Sequence, residues 1–378
     1  MWIKNIEIKK YRNYDSIKVD FNSHLNIIIG NNAQGKTNLL ESIYVLALTK
    51  SFLSNSDKSL IMFNNSFSKI NGIIESMKGS KAIEMLINDN GKRIKVNNKE
   101  IKKMSEYIST MNVVIFSSND IMIFKDSPSS RRKYFNIQIS QLDKCYLKYL
   151  NDYNIILKQR NEFLKIFNPK KESDNNYLDI LNDKYVSLSI LVSKYRHKYI
   201  KDINDYLGDI FYSIMGVKGL YIKYNSNIDY CDDYDKNNLI DKINKNIDRE
   251  IQYKMSLIGP NRDDFYFYLG DKNLSLFGSQ GQIRSAILSL KLAEVKLFTK
   301  LVSDSPILLL DDIFSELDIN KRNNVLRYLD ENVQTIMTTT DLKNIDSVIS
   351  EKANVYEIES GKIISREIIL EQEGDENE

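Results

Sequence analysis

Polar and apolar residues alternate along Ile3–Lys9 and again along Ser16–Phe21, the period of a β-strand. Leu25–Ile29 is instead a short apolar run that ends at Gly30. From Asn38 to Leu48 the apolar spacing becomes helical. Strand-like segments return at Ile70–Glu75, Ala82–Ile87 and Arg93–Val96, separated by turn residues at Asp89-Asn90-Gly91 and Asn97-Asn98. Met111–Phe116 reads as a further apolar strand.

The middle of the chain changes character. From Arg131 to Met215 few breakers occur besides Asn168-Pro169, and apolar residues recur at helical spacing, as in Tyr146, Leu147, Leu150, Tyr153, Ile156 and Leu157. This predicts two long helices with a polar break at Lys170–Asn176. They form either a plain helical bundle or an antiparallel arm, too short for a long coiled coil. The last third is mixed again, with a buried strand at Ile307–Leu310, a helix at Asn320–Leu329 and a strand at Thr335–Thr339. The tail, Glu371–Glu378, is mostly acidic and is expected to fray.

Composition narrows the class. Hydrophobic residues make up 42% of the 378, enough for a packed core. The net charge of +2 does not advertise a nucleic-acid binder, although an average can hide a local basic stripe. Cys145 and Cys231 lie far apart, fit no metal spacing and suggest a reducing compartment. The N-terminal segment alternates and lacks the apolar stretch of a signal peptide. No apolar run approaches the length of about 18 residues that a membrane span needs. The expectation is a soluble cytoplasmic protein.

The strongest chemical signal is Gly30-Asn31-Asn32-Ala33-Gln34-Gly35-Lys36-Thr37, a full G-x-x-x-x-G-K-[ST] phosphate loop between an apolar strand and a helix. The glycines let successive N–H groups turn inward around phosphate. The helix start adds its positive dipole end. In this pattern Lys36 serves the β and γ phosphates of ATP, and the Thr37 hydroxyl is a ligand for Mg²⁺. The second signal is Ile307-Leu308-Leu309-Leu310-Asp311-Asp312, an apolar strand ending in two carboxylates. At the carboxyl end of a parallel sheet Asp311 would orient Mg²⁺, and Asp312 would polarise the attacking water.

Phe277-Gly278-Ser279-Gln280-Gly281-Gln282 resembles the signature of ABC ATPases, in which Ser279 and Gly281 would open a helix against the γ phosphate held by another subunit. Ser315-Glu316-Leu317-Asp318 stands at the position of the D-loop. The resemblance then sharpens to the RecF family. Lys10-Tyr11-Arg12-Asn13-Tyr14 is similar to its F-R-N-Y stretch, and GNNAQGKTNLLESIY to its phosphate loop. Ser127-Pro128-Ser129-Ser130-Arg131-Arg132 is similar to its G-x-P-x-x-R-R segment, and Gly259-Pro260-Asn261-Arg262-Asp263-Asp264 to its G-P-H-R-D-D segment. Asn261 stands where the family has His, and Ser127 where it has Gly. No histidine occupies the H-loop position, which reads Thr338-Thr339-Thr340-Asp341, and a Q-loop is expected near Ser118-Asn119-Asp120. His24 and His197 read as packing or surface residues.

The resemblance implies an α/β fold: an ABC-type, SMC- and Rad50-like P-loop ATPase head, residues 1–130 plus 250–378, with an inserted short helical arm at 131–249. It implies an ATP-driven homodimer with two composite sites, in which Lys36, Thr37, Asp311 and Asp312 of one subunit face Ser279 and Gly281 of the other. Hydrolysis would be weak and DNA-stimulated, a switch and not a motor. The expected substrate is single-stranded and double-stranded DNA at gaps and junctions, and the expected partners are RecO and RecR, with RecA loading as the outcome. Arg131-Arg132-Lys133 and the cluster Lys194, Arg196, Lys198 are the candidate phosphate contacts on DNA. A transporter ATPase, a nuclease ATPase and a scaffold are the rival classes. The RecF-like segments, the lack of room for a nuclease site after Asp318 and the intact Lys36, Asp311 and Asp312 argue against them in turn.

Overall fold

The Leu25–Ile29 run is a strand at those bounds. Its neighbours explain why it is apolar throughout: Thr335–Thr339 lies parallel on one side and Ala353–Glu359 parallel on the other. The computed structural model describes residues 1–228, 234–302, 304–313, 321–322, 332–340, 353–359 and 361–366. The expected helix at 320–329, the Ser315–Asp318 segment, Cys231 and the acidic tail lie outside the described residues.

The chain divides into two compact units, 1–120 with 213–215 and 287–378, and 121–212 with 216–286. Among the described residues the first contains two six-stranded sheets. In one, Val113–Phe116, Ile307–Asp311, Thr335–Thr339, Leu25–Ile29 and Ala353–Glu359 run parallel, and the edge strand Lys362–Arg366 is antiparallel. The other is antiparallel, in the order Tyr14–Asp20, Trp2–Tyr11, Phe67–Glu75, Lys81–Asn88, Gly91–Val96 and Lys99–Glu100. Its tight turn at Asn97-Asn98 has φ of 48° and 66°, the left-handed pair that asparagine tolerates in a two-residue hairpin.

Helix Lys36–Leu48 packs against strands of both sheets. That explains its composition: from Leu39 to Leu48 every residue is buried, so the helix carries no broad polar face. Gly72 permits the close approach, because a Cβ there would sit 2.6 Å from Leu46 Cδ2. Gln334, fully buried, stitches the strand ends together. Its Oε1 accepts the Ile3 N–H at 2.8 Å, and its Nε2 donates to the carbonyls of Ile3 and Asn22 at 2.9 and 2.7 Å.

The second unit departs from the expected pair of long helices. Three are present, Pro128–Leu142, Lys144–Leu164 and Glu172–Met215. The first interruption is at Asp143, whose extended backbone (φ −139°) and side chain cap the next helix through the Cys145 N–H. The unit is also larger than the 131–249 insertion. It takes in residues up to 286 because Asp264–Leu269 pairs antiparallel with Leu220–Asn225, and Lys272–Asn273 adds a short third strand. Helices Lys236–Asn244 and Ile247–Tyr253 lie between the paired strands in sequence.

Buried arginines hold this unit together. Arg131 makes a bidentate pair with Asp264, Nε to Oδ1 at 2.6 Å and Nη2 to Oδ2 at 2.7 Å. Arg132, half-buried, adds a bond to the Asp263 carbonyl at 2.8 Å. Arg196 donates to the Asp263 carboxylate and to the Pro260 carbonyl, both at 2.8 Å. Arg160 reaches Asn182, Ser256 and Glu250 at 2.8, 2.7 and 2.6 Å. The reading of Arg131 and Arg196 as DNA-phosphate contacts is therefore corrected: both are buried, at 8% and 2% exposure, and already committed to carboxylates. Lys133, Lys194 and Lys198 of the same clusters are exposed.

The departures from the family pattern are explained in the same network. Asn261 Oδ1 accepts from the hydroxyls of Tyr153 and Tyr185 at 2.9 and 3.1 Å, and its Nδ2 donates to the Ser256 carbonyl at 3.2 Å. Ser127 has φ −69°, a conformation that does not require glycine.

Removing one partner of a buried pair leaves the other charge uncompensated. Arg131→Ala is therefore expected to cost about 3–5 kcal/mol, read as a fall in the urea midpoint. Burial alone would raise the Asp264 carboxyl, but bonds from Arg131 and from the Phe265 N–H hold it below the usual carboxylate range. The pair's contribution is thus complete above the unfolded carboxyl's pKa and is lost as pH falls through the lower folded one. Wild-type and variant midpoints should converge in acid; equal midpoints at neutral pH would contradict this role.

Candidate functional site

The phosphate loop leaves the strand Leu25–Ile29 and enters helix Lys36–Leu48. Two positions need left-handed backbone, Ala33 at φ 64° and Gly35 at φ 110°. Gly35 is constrained twice, because a Cβ there would lie 2.7 Å from Asn13 Nδ2 and 2.8 Å from the Tyr14 hydroxyl. At Gly30 a Cβ would meet the Ile358 carbonyl oxygen at 2.5 Å. Both motif glycines are places where another segment closes on the loop backbone.

At Gly30 that segment is the strand Ala353–Glu359; at Gly35 it is the turn between the first two strands, the Arg12-Asn13-Tyr14 stretch. The Tyr14 hydroxyl donates to the Gly35 carbonyl at 3.0 Å. Asn13 Nδ2 reaches the Gln34 carbonyl at 3.4 Å, and Asn13 Oδ1 accepts from Asn38 at 2.8 Å. Arg12 grips the buried Glu41 carboxylate with two bonds, at 2.9 and 2.6 Å, and Tyr11 donates to the same carboxylate at 2.9 Å. Arg12 itself has φ 49°, a strained backbone for a non-glycine residue, held by that ion pair.

The acidic strand end meets the loop directly. Thr37 Oγ1 donates to Asp311 Oδ1 at 2.9 Å, a contact between residues 274 apart in sequence. Thr338 Oγ1 donates to the same oxygen at 2.9 Å and accepts the Asp312 N–H at 2.9 Å. Burial raises the Asp311 carboxyl; the bonds from Thr338 and Thr37 oppose the shift, and the neighbouring Asp312 adds to it. Lys36 Nζ donates to the carbonyls of Gly30 and Asn31 at 2.5 and 3.0 Å. Burial lowers its pKa, against the fields of Asp312 and Asp311. Asp312 has φ 52°, strained backbone like that of Ala33 and Arg12. A hard cation suits this oxygen donor set, and the desolvated Asp311 is where added positive charge would relieve most.

Ser279 stands at the start of helix Gln280–Leu301 in a capping box. Its Oγ accepts the Gln282 N–H at 3.2 Å, and Gln282 Oε1 accepts the Ser279 N–H at 2.9 Å. A Cβ at Gly281 would enter open space, so that position tolerates a side chain within one chain. At the expected Q-loop region, Asp120 accepts the Ser117 N–H at 2.7 Å and pairs with the buried Lys291 at 3.0 Å. Thr338 was read only as part of the H-loop position, and Tyr14 only as part of a family segment. Their roles need the partner strand and the turn that folding brings near, which no local pattern encodes.

A mainly parallel sheet whose phosphate loop meets a paired-aspartate strand end across an insertion defines an ABC-type ATPase head. The RecF/RecN/SMC N terminal domain family matches residues 2–363. An archaeal Smc head domain, solved bound to the C-terminal domain of ScpA from Pyrococcus furiosus, shares the fold at a TM-score of 0.54 and 16% identity over 97% of this chain and 96% of that one. The DNA replication and repair protein RecF of Lactobacillus johnsonii is 40% identical over 373 residues, 97% of this chain and 100% of that protein. That of Streptococcus agalactiae serotype Ia is 41% identical over 365 residues, 96% and 98% of the two. A structure of the recombination mediator protein RecF with ATP, from the RecFOR pathway, matches with a TM-score of 0.88 and 30% identity, covering 97% of each chain. The chain belongs to the RecF family.

The bond from Tyr14 to Gly35 contributes about 1 kcal/mol, the usual net value of a hydrogen bond. Tyr14→Phe is expected to weaken ATP binding by up to about fivefold, the limit reached where that energy serves wholly to hold the loop in its binding shape. Titration calorimetry giving the wild-type dissociation constant would show that the turn does not shape the loop.

Proposed function

We propose that this chain is an ATP-dependent DNA-binding protein of recombinational repair and replication-fork maintenance, and a slow ATPase that uses hydrolysis as a switch. The observation that carries the reading is the convergence of Lys36, Thr37, Asp311 and Asp312 at one strand end. Backbone N–H groups of residues 31–37 and the Lys36 ammonium bind the phosphates of ATP. Thr37 and Asp311 are the residues that would hold Mg²⁺, which when bound neutralises phosphate charge and orients the phosphate oxygens. Thr338 fixes the Asp311 rotamer and, through the Asp312 N–H, the strained backbone that aims Asp312. Asp312 then accepts a proton from, or orients, the attacking water.

ATP binding joins two copies of the chain. Ser279 and Gly281 of the partner subunit face the γ phosphate, so each of two symmetry-related sites is completed in trans. The dimer binds DNA at gaps and at single-strand/double-strand junctions, and with RecO and RecR it helps to load RecA. The relatives named for DNA replication and repair, and the RecF solved with ATP in the RecFOR pathway, support this reading. Among the described residues no helix is long and apolar enough to cross a membrane.

Turnover of ATP should be slow alone and rise with gapped DNA; a rate that gapped DNA leaves unchanged would overturn the switch. Gly281→Arg should bind ATP as wild type does, because the side chain has space within the monomer, yet form no ATP-dependent dimer by light scattering. Normal dimers in that variant would sink the split site. Asp312→Asn should slow hydrolysis about tenfold or more and accumulate the ATP-bound dimer. A wild-type hydrolysis rate would remove Asp312 from the chemistry.

A further inference from the structure

The strands Leu220–Asn225 and Asp264–Leu269 have one face that packs inward and one that, apart from the buried Asp264, is exposed or half-buried. Leu220, Ile222, Phe265 and Phe267 are buried. The alternate positions pair across the ladder as Tyr221 with Tyr268, Lys223 with Tyr266 and Asn225 with Asp264. An outward face of an antiparallel sheet is ordinarily polar; here three of six positions are tyrosines. The rings of Tyr221 and Tyr268 are stacked, with centroids 5.4 Å apart and planes within 13°. Tyr221 is 38% exposed.

Three lysines sit on or beside these strands. Lys223 is on the face itself, Lys218 lies just before the first strand with its ammonium 5.1 Å from the Tyr212 ring centroid, and Lys272 begins the short third strand. Of the two carboxylates in residues 217–225 and 264–273, Asp264 is bound by Arg131, and Asp271 is on the turn beyond Leu269. The Arg131 guanidinium lies 5.9 Å over the Tyr266 ring and closes that end of the row. Flat rings interleaved with lysines match the two needs of a single strand, stacking for its bases and cations for its phosphates. Cross-strand aromatic pairing stabilises a strand pair, but it does not call for lysines beside the rings.

We propose that this Tyr221–Lys223–Tyr266–Tyr268 face is a stacking platform for single-stranded nucleic acid. It extends the DNA-binding reading by assigning the single-stranded part of the substrate to the second unit. Contact is through ring faces, so sequence preference is slight.

The test is anisotropy of a labelled oligothymidylate, an abasic oligomer of equal length and a duplex, with the full chain and ATP. The variants are Tyr221→Thr/Tyr268→Thr, which keeps strand-forming residues, and Tyr221→Phe/Tyr268→Phe, which keeps the rings. Wild type should prefer oligothymidylate over the abasic oligomer. The threonine pair should lose about tenfold or more in oligothymidylate affinity, the scale of one stacked base, and with it that preference. The phenylalanine pair should retain both, and duplex binding and basal ATP turnover should hold in every variant. Unchanged oligothymidylate affinity in a folded threonine pair overturns the platform and leaves the face to a protein partner. If that pair is unfolded, a wild type that does not distinguish the two oligomers overturns the platform equally. A wild type that binds gapped and duplex DNA normally but not oligothymidylate refutes the platform alone, whereas one that binds no DNA refutes the wider reading too.

Discussion

The parallel sheet order is the constraint on which the nucleotide site depends. Thr335–Thr339 lies between Leu25–Ile29 and Ile307–Asp311, so three strands from the two ends of the chain finish side by side. Only that order puts the Thr37 hydroxyl and the Thr338 hydroxyl on one oxygen of Asp311. Ile307–Asp311 and Thr335–Thr339 are buried along their whole length. A slip of one residue would turn the Asp311 carboxylate to the other face of the sheet.

The second unit solves a different problem. Its helices carry arginines that are costly to bury, and each is matched by a carboxylate on the segment Glu250–Asp264. The two RecF-like segments around Arg131 and Asp264 are therefore two halves of one ion-pair network. Arg131 links that network to the tyrosine face, since it binds Asp264 and covers the Tyr266 ring. A substitution made to probe DNA contact at Arg131 would disturb packing first.

The sequence made most of the first unit legible because its signals are local. Leu25–Ile29 and Thr335–Thr339 are strands at the bounds read from the sequence, and the phosphate loop sits between a strand and a helix as the motif requires. The second unit was harder to read. Leu220-Tyr221-Ile222-Lys223-Tyr224 alternates with the period of a strand, but it follows a long helix and, among the described residues, pairs only with 264–269, so nothing nearby marks it. Arg131 and Arg196 were read as surface charge because an arginine's burial depends on a partner; theirs are Asp264, 133 residues away, and Asp263, 67 residues away. Charge content along a sequence says how many cations exist, not which of them already have a carboxylate.

The central claim is that Thr37 and Asp311 form one oxygen site that works with the phosphate loop. The magnesium dependence of ATP affinity tests it most directly, measured by calorimetry for the wild type and for Asp311→Ala, each with Mg²⁺ and with EDTA. The account predicts that Mg²⁺ strengthens ATP binding to the wild type and has much less effect on Asp311→Ala. An equal gain from Mg²⁺ in both proteins would contradict it.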